Sequence, residues 1–252
     1  MTISGELSLS MAGLKRAPGA PWETGPRAAM EWAAGLEYRA VQLDGTVAGT
    51  RARELDRSAR RDVGGVLRRL SLVMSGIDLW IPPTHFSSPG DVDRAVAAVV
   101  GAVELAADLR AVVPGSTALV CVSLPAETVP GVESALGAAA QRFGCVVADH
   151  AWPVRENGVL EIGVDPATLI LAGVDVPLAV AGLRAAPASA RMSDLAAEGR
   201  VLPGDGALEP FEYDAALSVR GFSGARIVDL RGLPDQERAV GEIRRRLIGA
   251  AG

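Results

Sequence analysis

The chain has 252 residues, of which 49% are hydrophobic, only 4% aromatic and 22% charged, with a formal net charge of −5. A protein that neutralises many phosphates needs a basic face, so this acidic balance argues against general nucleic-acid binding. The length suits an α/β barrel of about 250 residues, and so few aromatics require an aliphatic core, as parallel strands buried on both faces do.

Short apolar runs alternate with longer amphipathic segments, the pattern of a parallel α/β sheet. Eight runs predict strands, over residues 6–11, 40–44, 70–75, 117–124, 145–150, 160–165, 190–194 and 226–230. A Pro- and Gly-rich loop over 15–26 follows the first, and a loop with three prolines over 81–90 follows the third. Apolar spacing of three and four residues predicts helices over 92–109 and 132–143. A last helix over 235–247 starts just after Pro234 and ends in a basic turn that complements the helix dipole.

Only residues 151–159 separate the fifth and sixth strands, fewer than the ten to twelve or so that a crossover with its helix needs. The predicted fold class is therefore α/β: a (β/α)8 TIM barrel over residues 1–252 with the helix between strands five and six missing or reduced. The alternative is an open doubly wound sheet, although no G-x-G-x-x-G fingerprint follows the first strand.

Arginines cluster at Arg60, Arg61, Arg68 and Arg69, and again at Arg244, Arg245 and Arg246, with acidic residues nearby; they read as solvated helix faces. Cys121 and Cys145 lie in apolar strands and read as buried free thiols. No signal-peptide pattern and no run of about 20 apolar residues is visible, so the cytoplasm is the expected location and no membrane partner is expected. A homo-oligomer is among the partners the sequence allows.

Several stretches together resemble the xylose-isomerase-like barrel superfamily of sugar-phosphate isomerases and epimerases, with endonuclease IV as a distant relative. Residues 30–43 resemble its helix, glycine turn and second strand, and the Pro82-Pro83-Thr84-His85-Phe86 stretch its third-strand region. The C-terminal half is most similar: Asp165-Pro166, Arg191-Met192-Ser193-Asp194, Gly204-Asp205-Gly206, and Gly221-Phe222-Ser223-Gly224 before a strand ending in Asp229. The resemblance implies proton transfer next to a carbonyl at the C-terminal mouth, with a divalent metal (Mn, Mg or Zn) polarising the oxygens, and a carbohydrate-like ligand.

Carried over slot by slot, the resemblance puts His150 in the first ligand position, or Asp149 if the register shifts by one. Asp165 takes the second and Asp229 the last. The metal set would be His150, Asp165 and Asp229, and the catalytic set would add Arg191. But Arg191 stands where the family has histidine, and a guanidinium cannot ligate a metal. At about 4 Å and an effective dielectric of 20 it repels a unit charge by about 4 kcal/mol, and a divalent ion by twice that. A metal-free mouth held by Arg–carboxylate pairs is therefore expected over a metal-bound one. A histidine that often follows the second ligand by three residues is Thr168 here.

Around the mouth, His85 reads as a substrate contact or a loop hydrogen-bonder. Lys15, the one lysine, reads as a phosphate ligand, a base or an exposed loop residue. Trp152 reads as a sugar-stacking or a packing residue, and Asp44 and Glu127 as catalytic carboxylates or as capping charges. Three functions remain open: a sugar or sugar-phosphate isomerase/epimerase; an inactive, metal-free barrel that binds a small molecule or acts as a scaffold; and a metal-free enzyme with His150 as base and Arg191 stabilising an oxyanion.

Overall fold

The computed structural model describes residues 2–3, 5–155 and 158–248. Eight parallel strands close into a barrel: β1 (Leu7–Ser10), β2 (Ala40–Asp44), β3 (Val73–Asp78), β4 (Leu119–Val122), β5 (Val146–Asp149), β6 (Glu161–Val164), β7 (Ser189–Met192) and β10 (Arg226–Val228). β10 pairs with both β7 and β1, which closes the cylinder and rules out the open doubly wound sheet. A separate antiparallel hairpin of β8 (Asp194–Ala196) and β9 (Gly199–Val201) rises from the end of β7.

The helices are α1 (Pro26–Gly35), α2 (Arg57–Arg69), α3 (Val92–Val112), α4 (Val132–Phe143), the short α5 (Pro166–Leu171) and α6 (Val176–Ala181), α7 (Pro210–Val219) and α8 (Gln236–Ile248). Between β5 and β6 the described residues, 151–155 and 158–160, carry no helix. Among the described residues the outcome agrees with the expectation of a missing or reduced helix, which the shortness of the connection explains.

Strand three corrects the expectation of 70–75. Leu70 caps α2 and Ser71 takes a positive φ of 55°, so the chain is still turning where a strand was predicted. The strand then runs through Gly76 to Asp78. The pairing register with β2 slips between Val41 and Gln42, leaving Ser75 as an extra, bulged residue. At Gly76 an added β-carbon would lie 3.1 Å from the Leu119 carbonyl oxygen, a close approach that favours glycine.

Alternation along the strands sorts the side chains. Leu9, Val41, Val120, Ala190 and Met192 pack outward into an aliphatic core shared with the helices. Leu119, Cys121 and Ala148 form a second, smaller apolar cluster, the inner floor of the barrel. Above the floor the interior turns polar. Ser10 donates to Gln42 (2.9 Å), Gln42 to Cys121 (3.4 Å) and Cys121 to Ser189 (3.3 Å), and Ser189 meets His150 Nε2 at 3.1 Å. Burial raises the Cys121 thiol to about 11, so it stays protonated. Both cysteines are free, but Cys145 is half-buried where full burial was expected.

Candidate functional site at the C-terminal mouth

Parallel strands deliver their last residues to one end of a barrel. Here β3 delivers Asp78, the ends of β6 and β10 deliver Asp165 and Asp229, and β7 delivers Arg191; all four are buried. Arg191 forks between two carboxylates, donating from Nη2 to Asp78 (2.5 Å) and from Nη1 to Asp165 (3.0 Å). Its Nε lies 3.9 Å from Asp229 and has no hydrogen-bond partner.

Two further guanidiniums complete the cluster. Arg200, on β9, donates to Asp165 (3.1 Å) and Asp229 (3.1 Å) and so bridges them. Arg231 donates to Asp229 from Nη2 at 2.7 Å and lies 3.5 Å from Asp78. Asp165 also caps α5, accepting from the Ala167 N–H (3.2 Å) and from the Ser193 hydroxyl (2.6 Å). Pro166 at the first helical position has no N–H to lose, which accounts for the Asp-Pro pair.

Burial by itself would raise the Asp165 carboxyl, but Arg191, Arg200 and the Ser193 hydrogen bond outweigh it and hold the group well below the usual carboxylate range. Asp229 is likewise held low: burial opposes, and the contacts with Arg231 prevail over it. Three carboxylates and three guanidiniums therefore balance in number in this ring, with the carboxylates and Arg191 buried and Arg200 and Arg231 half-buried.

His150 lies next to this ring and faces the interior, with its Nε2 against Ser189. Burial, then the nearby Arg191 charge, push its pKa well below 6.5, so the imidazole is neutral. Its Nδ1 is buried without a partner. Asp149, one residue earlier, points elsewhere: it accepts from the N–H groups of Leu124 and Ala151 (both 3.0 Å) and from Arg155 Nε (3.2 Å). His150, not Asp149, is the residue of this pair that feels the charges of the cluster.

The structure therefore brings together His150, Asp165, Arg191 and Asp229, and adds Asp78, Arg200 and Arg231. Sequence reading missed all three additions. A strand prediction ending at Ser75 hid Asp78, whereas the apolar run through Ile77 and Leu79 was the available signal. Arg200 and Arg231 had none, since both lie in connections whose course only the fold determines.

No hydrogen bond or ion pair among the described residues joins His85, Lys15 or Trp152 to the ring. His85 sits half-buried in a short 3-10 turn (Pro83–Phe86). Lys15 is exposed, with its backbone tied to Gln236 and Trp22. Trp152 is half-buried against the hydrophobic core. Glu127 is exposed. Asp44, paired in register with Asp78, is buried, and desolvation raises its carboxyl. Trp80, two residues past Asp78, is 62% exposed at the mouth.

These residues do not fit a divalent ion. Guanidinium donors hold Asp78, Asp165 and Asp229, and among the described residues no group of three His, Cys, Asp or Glu side chains is arranged to ligate one.

No family model and no curated protein matches the chain. Solved structures do. One is D-allulose 3-epimerase from Methylomonas sp., at 11% identity and TM-score 0.62, with 98% of each chain covered. Another is AsbF of Bacillus anthracis, involved in petrobactin synthesis, at 12% identity and TM-score 0.66, covering 96% of this chain and 98% of that one. A third is a xylose isomerase domain containing protein from Salmonella typhimurium LT2, at 14% identity and TM-score 0.55, covering 98% and 97%. Likeness at this identity fixes architecture, and chemistry has to be argued from the site. The chain has the fold of the xylose-isomerase-like TIM barrels.

Proposed function

We propose that this protein is a metal-free barrel that binds a small, carbohydrate-like molecule at its C-terminal mouth, in place of a metal-dependent sugar isomerase. The Arg191 fork onto Asp78 and Asp165 carries the reading. An incoming divalent ion has to displace permanent cations from buried carboxylates, and breaking such a pair costs about 3–5 kcal/mol. The carbohydrate-like ligand is supported by the company the fold keeps, a sugar epimerase among its neighbours, and by Trp80, whose exposed ring offers an apolar face to a sugar. The experiment is metal analysis of the purified chain together with thermal melting in millimolar Mn2+, Mg2+ or Zn2+. No bound ion and an unchanged midpoint are expected. Stoichiometric uptake that is lost in Asp165→Ala would sink the reading.

A second reading is metal-free proton transfer, favoured by one observation: His150 is held neutral with its Nδ1 unpartnered. The same burial that keeps it neutral makes it a weak base, which is why binding ranks first. Deuterium exchange into a ketose incubated with the protein in heavy water, absent in His150→Gln, would raise this reading above the first.

A further inference from the structure

We propose that Arg200 is a built-in substitute for a ligand's positive charge, and that the mouth takes a small hydroxylated monocation, of the amino-sugar class, in its place. This deepens the metal-free binding reading and rests on it.

The six charged groups of the ring are not equally fixed. Arg191 projects from a barrel strand and its side chain is 4% exposed; Arg231 is held next to its partner by its own backbone N–H, which donates to Asp229 (3.0 Å). Arg200 comes from a three-residue strand of a hairpin outside the barrel, and its side chain is 23% exposed, the most of the six. Its Nη1 and Nη2 each donate to one carboxylate, and a ligand ammonium has the donors to do the same. Swinging Arg200 out leaves three carboxylates against two guanidiniums, a site short of one positive charge.

A cavity adjoins Arg200 on the side away from the ring's other members. A cleft of about 720 Å3 lies between the β8–β9 hairpin and the start of α8, with Arg200 in its wall. That volume is in the range of small-molecule sites, about 300–1,000 Å3. Apart from Arg200, the charged residues of the wall are Glu198, Asp205, Asp235 and Glu242 against Arg238 and Arg246, four acids to two bases. Arg246 pairs with Asp205 and Glu242, and Arg238 lies 3.9 Å from Glu242, so the excess acid of the cleft is Glu198 and Asp235. The cleft beside Arg200 and the ring behind it thus favour the same sign of ligand.

The hydroxyl requirement comes from Arg191. Its buried Nε–H has no acceptor although it lies at the centre of the ring. A ligand hydroxyl oxygen beside the ammonium would satisfy it, where an alkyl amine would leave it orphaned.

The test titrates the 252-residue chain with glucosamine, N-acetylglucosamine and glucose 6-phosphate by calorimetry, and repeats this on Arg200→Gln and Arg200→Ala. Glucosamine is expected to bind at least about tenfold tighter than its neutral acetyl derivative. Removing the internal competitor should tighten it about tenfold further in whichever variant folds. Arg200→Gln keeps hydrogen-bonding groups in the ring and guards against loss of the fold. A preference for the phosphate ester, equal affinities, or no saturable glucosamine binding overturns the inference. If that happens without manganese uptake, the metal-free reading still stands; manganese uptake by the unaltered chain overturns both.

Discussion

The imidazole of His150 rests on the backbone of Gly163, so that a β-carbon there would lie 2.5 Å from His150 Cδ2 and 2.7 Å from Nε2. The histidine on β5 reaches inward because its neighbour on β6 lacks a side chain. Gly163→Ala is expected to destabilise the chain by about 1–3 kcal/mol through overpacking. Urea denaturation measures it, and Gly163→Ala combined with His150→Ala should recover part of the loss. Additive losses would show that the two residues do not share the space.

Removing the central cation should cost more than removing any one contact suggests. Arg191→Leu leaves Asp78 and Asp165 buried without their shortest ionic partner, and a loss of about 3–5 kcal/mol is expected. Denaturant midpoints at pH 7 read this directly. Arg191→Lys should lose nearly as much, since an ammonium cannot fork between both carboxylates with the guanidinium's planar geometry.

Stability should fall toward acid in two stages. His150 has a folded pKa below its ordinary 6.5, because of burial and then Arg191. The unfolded chain therefore takes up a proton that the folded chain refuses as pH drops through about 6.5, at up to ~1.4 kcal/mol per pH unit. Asp165 and Asp229 are held below their ordinary 3.8, so their contribution is complete above that pH and is lost as pH falls through it toward their folded values. His150→Gln should remove the upper stage and leave the lower one. Denaturation series from pH 8 to pH 3 would reveal a single stage if His150 titrates normally.

Asp194 organises the loop beyond the β8–β9 hairpin. Its carboxylate accepts from the N–H groups of Leu195, Gly204, Gly206 and Leu208 at 2.7–2.9 Å. Asp194→Asn replaces one acceptor oxygen by a donor, leaving at least one buried N–H unmet at about 1–3 kcal/mol. Hydrogen exchange should quicken in the hairpin and at residues 202–208 before it changes in β1 or β2. Uniform quickening would mean that Asp194 supports the whole barrel instead.

The sequence carried the architecture a long way. Its strand at Ala40–Asp44 and its helix at Val132–Phe143 coincide with those observed, since each is bounded by unambiguous turn residues. The strand ending in Asp78 was misplaced because a bulge at Ser75 interrupts the alternation on which such readings depend. Arg191 was legible as a charged residue inside an apolar strand, yet its two partners were not equally so. Asp165 stands beside a proline in a recognisable pair, whereas Asp78 is 113 residues away from Arg191.

By itself the sequence determined that this chain is a parallel α/β barrel with too short a connection for a helix between the fifth and sixth strands, and with a fixed positive charge, Arg191, near the end of a strand. Periodicity and connection length are local properties, and local properties survive in one dimension. Which charges meet that arginine was decided by closure of the barrel, which brings the ends of β3, β6, β7 and β10 to one rim and lets a hairpin outside the sheet lay Arg200 across them. The balance of carboxylates and guanidiniums in this ring is a property of distances under 4 Å, and no spacing along the chain encodes it.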